Sequence, residues 1–129
     1  MQTTTTLNAS SPARPRTVLG SMAWIWQVIT GAALIPLAGL HMIAQHFLVE
    51  GGLRGFDQVK AYLGNPIVWP IELLFLASVV SHALLGVRAI LVDLGPSPRT
   101  ARLLDIALVV VGIASVAYGA WLTYALVSG

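Results

Sequence analysis

The sequence predicts an all-α membrane protein of three transmembrane helices. Three observations lead there. Hydrophobic residues make up 57% of the chain and charged residues 9%, whereas a soluble domain carries roughly 25% charged residues. Three apolar runs, at about 21–49, 67–94 and 101–127, each exceed the ~20 residues with which a helix crosses ~30 Å of hydrocarbon. None of the runs alternates with the period of two that a barrel strand requires.

Each boundary has a local cause. Residues 1–20 are rich in Thr, Ser and Pro, carry Arg14 and Arg16, and hold no acid; they read as a flexible cytoplasmic tail. The apolar run that follows is too long for a signal-peptide core. Glu50-Gly51-Gly52 stops the first helix, because paired glycines favour leaving it. Phe56, Val59, Tyr62 and Leu63 recur at helical spacing, which predicts a short helix along the membrane surface. Asn65-Pro66 opens the second span as N-cap and first turn, and Gly95-Pro96-Ser97-Pro98 closes it. Pro36, inside the first span, is expected to kink it. Gly112, Ser115 and Gly119 make the third span a packing element. Residues 21–129 are thus one three-helix unit. Arg14 and Arg16 in the tail, with Arg99 and Arg102 in the second turn, place the N-terminus inside and the C-terminus outside.

The same composition excludes several functions. The chain has no cysteine, which rules out disulfides, an iron–sulfur cluster on this chain and thiolate ligation of haem. A net charge of +2 on scattered carriers argues against nucleic-acid binding. Ionisable side chains within a span are costly and mark function; here they are His41, His46, Glu72, His82 and Arg88, with Asp93 and Asp105 nearer the ends. His82 stands near the middle of the second span, with Gly86 one turn on along the same face and Arg88 about 9 Å further along the helix. A buried imidazole needs a partner at each nitrogen. A haem iron meets that need, and so does a hydrogen bond between helices; both readings stay open on these residues alone. His41 lies roughly 13 Å from His82 along the membrane normal, so the two cannot ligate one iron. His46 is about 140° round the helix from His41 and reads as a wet or headgroup-facing residue. Glu72 suits the start of a helix or proton exchange with quinone. Gln27 and Thr30 suit contacts between helices or with a quinone carbonyl.

Three segments carry a resemblance: Gln27-Val28-Ile29-Thr30-Gly31 with Gly39-Leu40-His41-Met42; the loop from Glu50-Gly51-Gly52 to Asn65-Pro66; and Glu72 followed by His82-x-x-x-Gly86-x-Arg88 and Asp93. In these the chain resembles the membrane anchor, or cytochrome b, subunits of succinate dehydrogenase and fumarate reductase. The resemblance implies a three-helix anchor that pairs with a second membrane anchor subunit into a haem-binding bundle. That bundle docks an iron–sulfur subunit and a flavoprotein subunit on the cytoplasmic side of the cell's inner membrane. His82 matches the ligand of the haem b nearer the iron–sulfur subunit, and His41 the first-helix ligand in two-haem members. Arg88 matches a propionate-side arginine. Val28 stands where many members have an arginine, and Leu94 where many have a tyrosine after the aspartate. The quinone pocket implied is therefore built mainly by the partner, with Gln27, Thr30, Asp93 and Glu72 as this chain's weaker candidates; Asp93 serves equally well as a partner for Arg88. The resulting expectation is a non-catalytic electron-transfer subunit holding one or two haems b and exchanging electrons with quinone. Its rival is a haem-free structural anchor with helix-packing histidines.

Overall fold

The computed structural model describes residues 18–129, with side chains from Met22 onward. Residues 1–17 of the expected tail lie outside the described residues. Helix α1 spans Val18–Met42 and continues as a π-helical turn, Ile43–Phe47. Helices α2 (Phe56–Leu63), α3 (Val68–Asp93) and α4 (Pro98–Ser128) follow. Three of these helices are long and apolar enough to cross a membrane: α1 with its π-turn, α3 and α4. The α-helix continues through Pro36. The irregularity falls later, where Leu48 N–H donates to the Ile43 carbonyl at 3.1 Å and the five-residue π repeat leaves carbonyls for other donors. Arg54 Nη2 reaches one of them, the Ala44 oxygen, at 2.8 Å.

The turns follow their residues. Gly51 and Gly52 both adopt positive φ, 85° and 76°, and so make the reversal after α1 that a side chain would oppose. Asn65 Oδ1 accepts from Ile67 N–H at 2.9 Å and from Val68 N–H at 3.4 Å, so it caps α3 from just outside the helix. Helix α4 begins earlier than 101 because Ser97 Oγ accepts from Thr100 N–H at 3.2 Å and Pro98 takes the first turn. A proline there gives up an N–H that has no partner in any case.

Helix α3 is central: α1 and α4 each pack on it, and the backbones of α1 and α4 stay more than 8 Å apart. The short α2 lies against α3 and α4. Gly112 and Gly119 face α3, against Leu84 and Leu76, whereas Ser115 is exposed. The spacing explains this. Gly112 and Gly119 are two turns apart on one stripe, and Ser115 falls about 60° off it. Trp69 Nε1 donates to Thr123 Oγ1 at 3.1 Å and ties the same two helices at one end.

Among the described residues no hydrophobic side chain is buried; the buried residues are Thr30 and Ser78, both polar. That inversion of the soluble pattern fits a chain whose apolar exterior faces lipid and other membrane helices. Substituting Gly119 tests the α3–α4 seam. A Cβ there meets the end of Leu76, which can swing aside, but a branched side chain cannot be absorbed. Gly119→Val is expected to lower stability by about 1–3 kcal/mol, the usual cost of overpacking, and Gly119→Ala by much less. The thermal midpoint of the detergent-solubilised protein reads the difference.

Candidate functional site

Two polar clusters join α1 to α3, at two heights. In the first, His82 Nδ1 lies 3.2 Å from the Gln27 carbonyl and 3.3 Å from Thr30 Oγ1. A carbonyl oxygen only accepts, so Nδ1 carries the proton. Thr30 donates in turn to the carbonyls of Trp26 (2.9 Å) and Gln27 (3.1 Å). With Nδ1–H committed in this way, Nε2 is left with no hydrogen-bond partner among the described residues. Gly31 makes the approach of the two helices possible: a Cβ there would stand 3.0 Å from His82 Cε1. Gly86 also faces α1, but what lies over it is the Gln27 amide, 3.7 Å from a would-be Cβ. Gln27 Oε1 is buried without a donor.

In the second cluster His41 Nδ1 lies 2.8 Å from Glu72 Oε2. The other carboxylate oxygen accepts from Tyr62 O–H at 2.5 Å. The His41 ring stacks on Phe75, with centroids 4.8 Å apart. Arg54 sits over the Tyr62 ring, 4.2 Å from its centroid. Tyr62 belongs to α2, outside the spans, and its phenol is pushed up from 10.0 to about 12. Burial is the largest cause, followed by the hydrogen bond to Glu72 and its negative charge; Arg54 opposes them.

The remaining expected residues fall elsewhere. Arg88 is paired with Asp105, not Asp93: Nε donates to Oδ1 at 2.7 Å and Nη2 to Oδ2 at 3.2 Å. Asp93 is exposed at the last residue of α3, five residues from Arg88 and so turned about 140° away. Arg88 itself is about 120° round α3 from His82. It lines an apolar groove of about 900 Å³ between α1 and α4, floored by α3, together with Trp26, Ser81, Leu85 and Asp105. His82 and Arg88 therefore share a stretch of helix but not a face. The Thr30 hydroxyl is used within the chain and is not free for a quinone carbonyl. Glu72 is the partner of His41. His46 is exposed and donates from Nδ1 to the Gly52 carbonyl at 3.1 Å. No cluster of three or more His, Cys, Asp or Glu side chains suited to a metal ion occurs among the described residues.

Sequence reasoning missed Tyr62 and Gly31 as members of these clusters, and Asp105 as the partner of Arg88. Tyr62 reads as one more apolar position on a surface helix. Gly31 is visible as part of the Gln27–Gly31 segment, but its contact with His82 is a tertiary fact. Asp105 is recognisable as an acid inside the third run, one helical hairpin from Arg88.

The fold and these clusters define a multi-pass, all-α membrane subunit whose helices are tied by intramembrane histidines. Residues 4–119 match the family model for the succinate dehydrogenase/fumarate reductase transmembrane subunit. The chain belongs to that family. Among curated relatives it is similar to a succinate dehydrogenase hydrophobic membrane anchor subunit of Archaeoglobus fulgidus, 33% identical over 65% of this chain and 71% of the relative. The corresponding subunit of Thermoplasma acidophilum is 28% identical over 78% and 81%. The succinate dehydrogenase 2 membrane subunit SdhC of Mycobacterium tuberculosis is 31% identical over 81% and 79%. No solved structure matches the chain.

The raised Tyr62 phenol sets a pH dependence. Its folded state holds the proton more tightly than the unfolded chain, so its contribution is complete below pH 10 and is lost as pH rises through about 12. Ultraviolet difference titration of wild type against Tyr62→Phe is expected to isolate one tyrosine ionising near pH 12. A component near 10 in its place would mean that neither burial nor Glu72 acts on this phenol.

Proposed function

We propose that the chain is a haem b-carrying anchor subunit of a succinate:quinone or quinol:fumarate oxidoreductase. In this reading it passes electrons between an iron–sulfur subunit and membrane quinone, with its N-terminus on the cytoplasmic side of the inner membrane. The observation that carries the proposal is His82: an imidazole inside a span whose Nδ1–H is committed to the Gln27 carbonyl, so that Nε2 is left as the donor. Ligating histidines are oriented in this way, by a hydrogen bond on the far nitrogen that fixes tautomer and ring plane. His41 repeats the arrangement with a carboxylate as the orienting group.

The residues fit the group in other respects. Gly31 gives the His82 ring a seat that a Cβ would fill. Arg88 does not join them: it is held by Asp105 on a face about 120° round α3 from His82. A haem b held at His82 or His41 would supply a one-electron redox site. His82 and His41 would each hold a haem b through Nε2, at two heights along α1 and α3. Gln27 Oε1, buried and lacking a donor, suits a quinol hydroxyl or a donor from the partner chain. Exchange with the iron–sulfur subunit needs no bond to this chain.

A pyridine haemochrome assay with redox titration of the membrane complex tests the reading. Two haems in wild type are expected, with one lost in His82→Ala and the other in His41→Ala. Gly31→Ala is expected to keep both haems but shift the potential of the one held by His82, because that ring must give by a few tenths of an ångström. An intact complex without haem would leave a structural anchor whose histidines only tie α1 to α3.

A further inference from the structure

The chain Tyr62–Glu72–His41 runs from the segment between α1 and α3 into the membrane span, and both Glu72 oxygens are occupied within it: Oε1 by the phenol at 2.5 Å, Oε2 by the imidazole at 2.8 Å. We propose that Tyr62 is a positioning residue for His41, acting through Glu72 to set how strongly His41 donates to the group it binds. The proposal rests on the reading of His41 as a haem ligand and extends it to a residue in a different helix.

The physical basis is the sharing of one negative charge between two donors. A carboxylate that accepts from Nδ1–H draws that proton towards itself and makes Nε2 a stronger donor. A second hydrogen bond to the same carboxylate takes up part of its charge and weakens that pull. Tyr62 is that second donor, and its position is over-determined. Helix α2 carries it against α3 and α4. Arg54 covers its ring at 4.2 Å. Arg54 is itself anchored to the Ala44 carbonyl at 2.8 Å, which the π-helical turn at the end of α1 makes available. The π-turn begins immediately after Met42, the last residue of α1 and the neighbour of His41. The clamp therefore grips α1 beside the histidine and α3 at Glu72. Phe75 fixes the ring plane of His41 from one further side. His82 lacks such a control, because its acceptors are a backbone carbonyl and a hydroxyl.

The two partners of the carboxylate predict opposite effects. In Tyr62→Phe the full charge of Glu72 acts on His41; the stronger donor favours ferric iron, and the midpoint of the haem bound there falls. In Glu72→Gln the side-chain carbonyl still accepts from Nδ1–H, but the charge is gone, and the midpoint rises. A tenfold change in the ferric–ferrous equilibrium is about 59 mV for one electron. Glu72→Gln is expected to reach about that size and Tyr62→Phe a fraction of it. The low-spin ferric signal in electron paramagnetic resonance of the same haem is expected to move in both variants, and that of the haem at His82 in neither. Independently of haem, Glu72→Gln removes two of the three causes that raise the Tyr62 phenol, so its ionisation is expected to move back towards 10.

The experiment uses the whole membrane complex, with haem counted in every sample. Opposite shifts confined to one haem support the role of Tyr62. Shifts of the same sign in both variants, or none, with both haems retained, overturn that role and leave His41 as a ligand. Retention of both haems in His41→Ala overturns the ligand reading and the proposal with it. Should Glu72→Gln fail to assemble, the Tyr62→Phe midpoint decides alone: a fall supports the proposal, and no change or a rise overturns it.

Discussion

The structure depends on one constraint: a polar group inside the hydrocarbon must find its partner within the protein, because an unsatisfied one costs several kcal/mol there. Helices α1 and α3 each carry polar side chains that lipid cannot solvate, and they meet along the line where those side chains satisfy one another. Thr30, Gln27 and His82 close one contact, and His41, Glu72 and Tyr62 close the other. No apolar core competes with them, since no hydrophobic side chain is buried among the described residues. Apolar packing between membrane helices gains little over contact with lipid tails. The polar pairs therefore fix the register of α1 on α3, and Gly31 leaves the room in which the His82 ring reaches α1.

The α3–α4 side is held differently. Gly112 and Gly119 bring the helices together, and Trp69–Thr123 and Arg88–Asp105 pin the two ends. Since α1 and α4 both pack on α3 with their own backbones apart, α3 is shared and a groove of about 900 Å³ stays open between the outer helices. Its walls are apolar apart from Ser81 and the Arg88–Asp105 pair at one end. A three-helix arrangement with one helix in common and one open flank is incomplete as a bundle, as expected of a subunit that works in a larger membrane assembly.

The helices were legible because length and hydropathy suffice to define a span. Their ends were legible where a residue type has one favoured role, as with Gly51-Gly52, and less so at Pro98, which serves a turn and a helix start equally well. Histidines inside spans stood out at once, since burial makes them expensive. The identity of their partners did not. His41 and Glu72 are 31 residues apart, and His82 and Gln27 are 55 apart; nothing local links them. Arg88 shows the limit most plainly. Two acids lay within reach along the sequence, Asp93 and Asp105, and the nearer was the expected partner as readily as not. The turn between α3 and α4 brought the farther one onto the same face, and the helix rotation carried the nearer one away.

The two histidines also differ in a way that composition could not convey. Both have Nδ1–H committed, but the acceptor at His82 is neutral and the one at His41 is an anion that Tyr62 partly quenches. An anionic acceptor makes an imidazole a stronger donor than a carbonyl does. In the proposed reading, two haems held by the same residue type on the same chain are therefore inequivalent before any partner contributes. The one at His41 is biased to the lower potential by this term, and the one at His82 to the higher. A gradient of that kind is set by which group sits behind each ring, so the second layer of residues, more than the ligands themselves, distinguishes the two depths of this anchor.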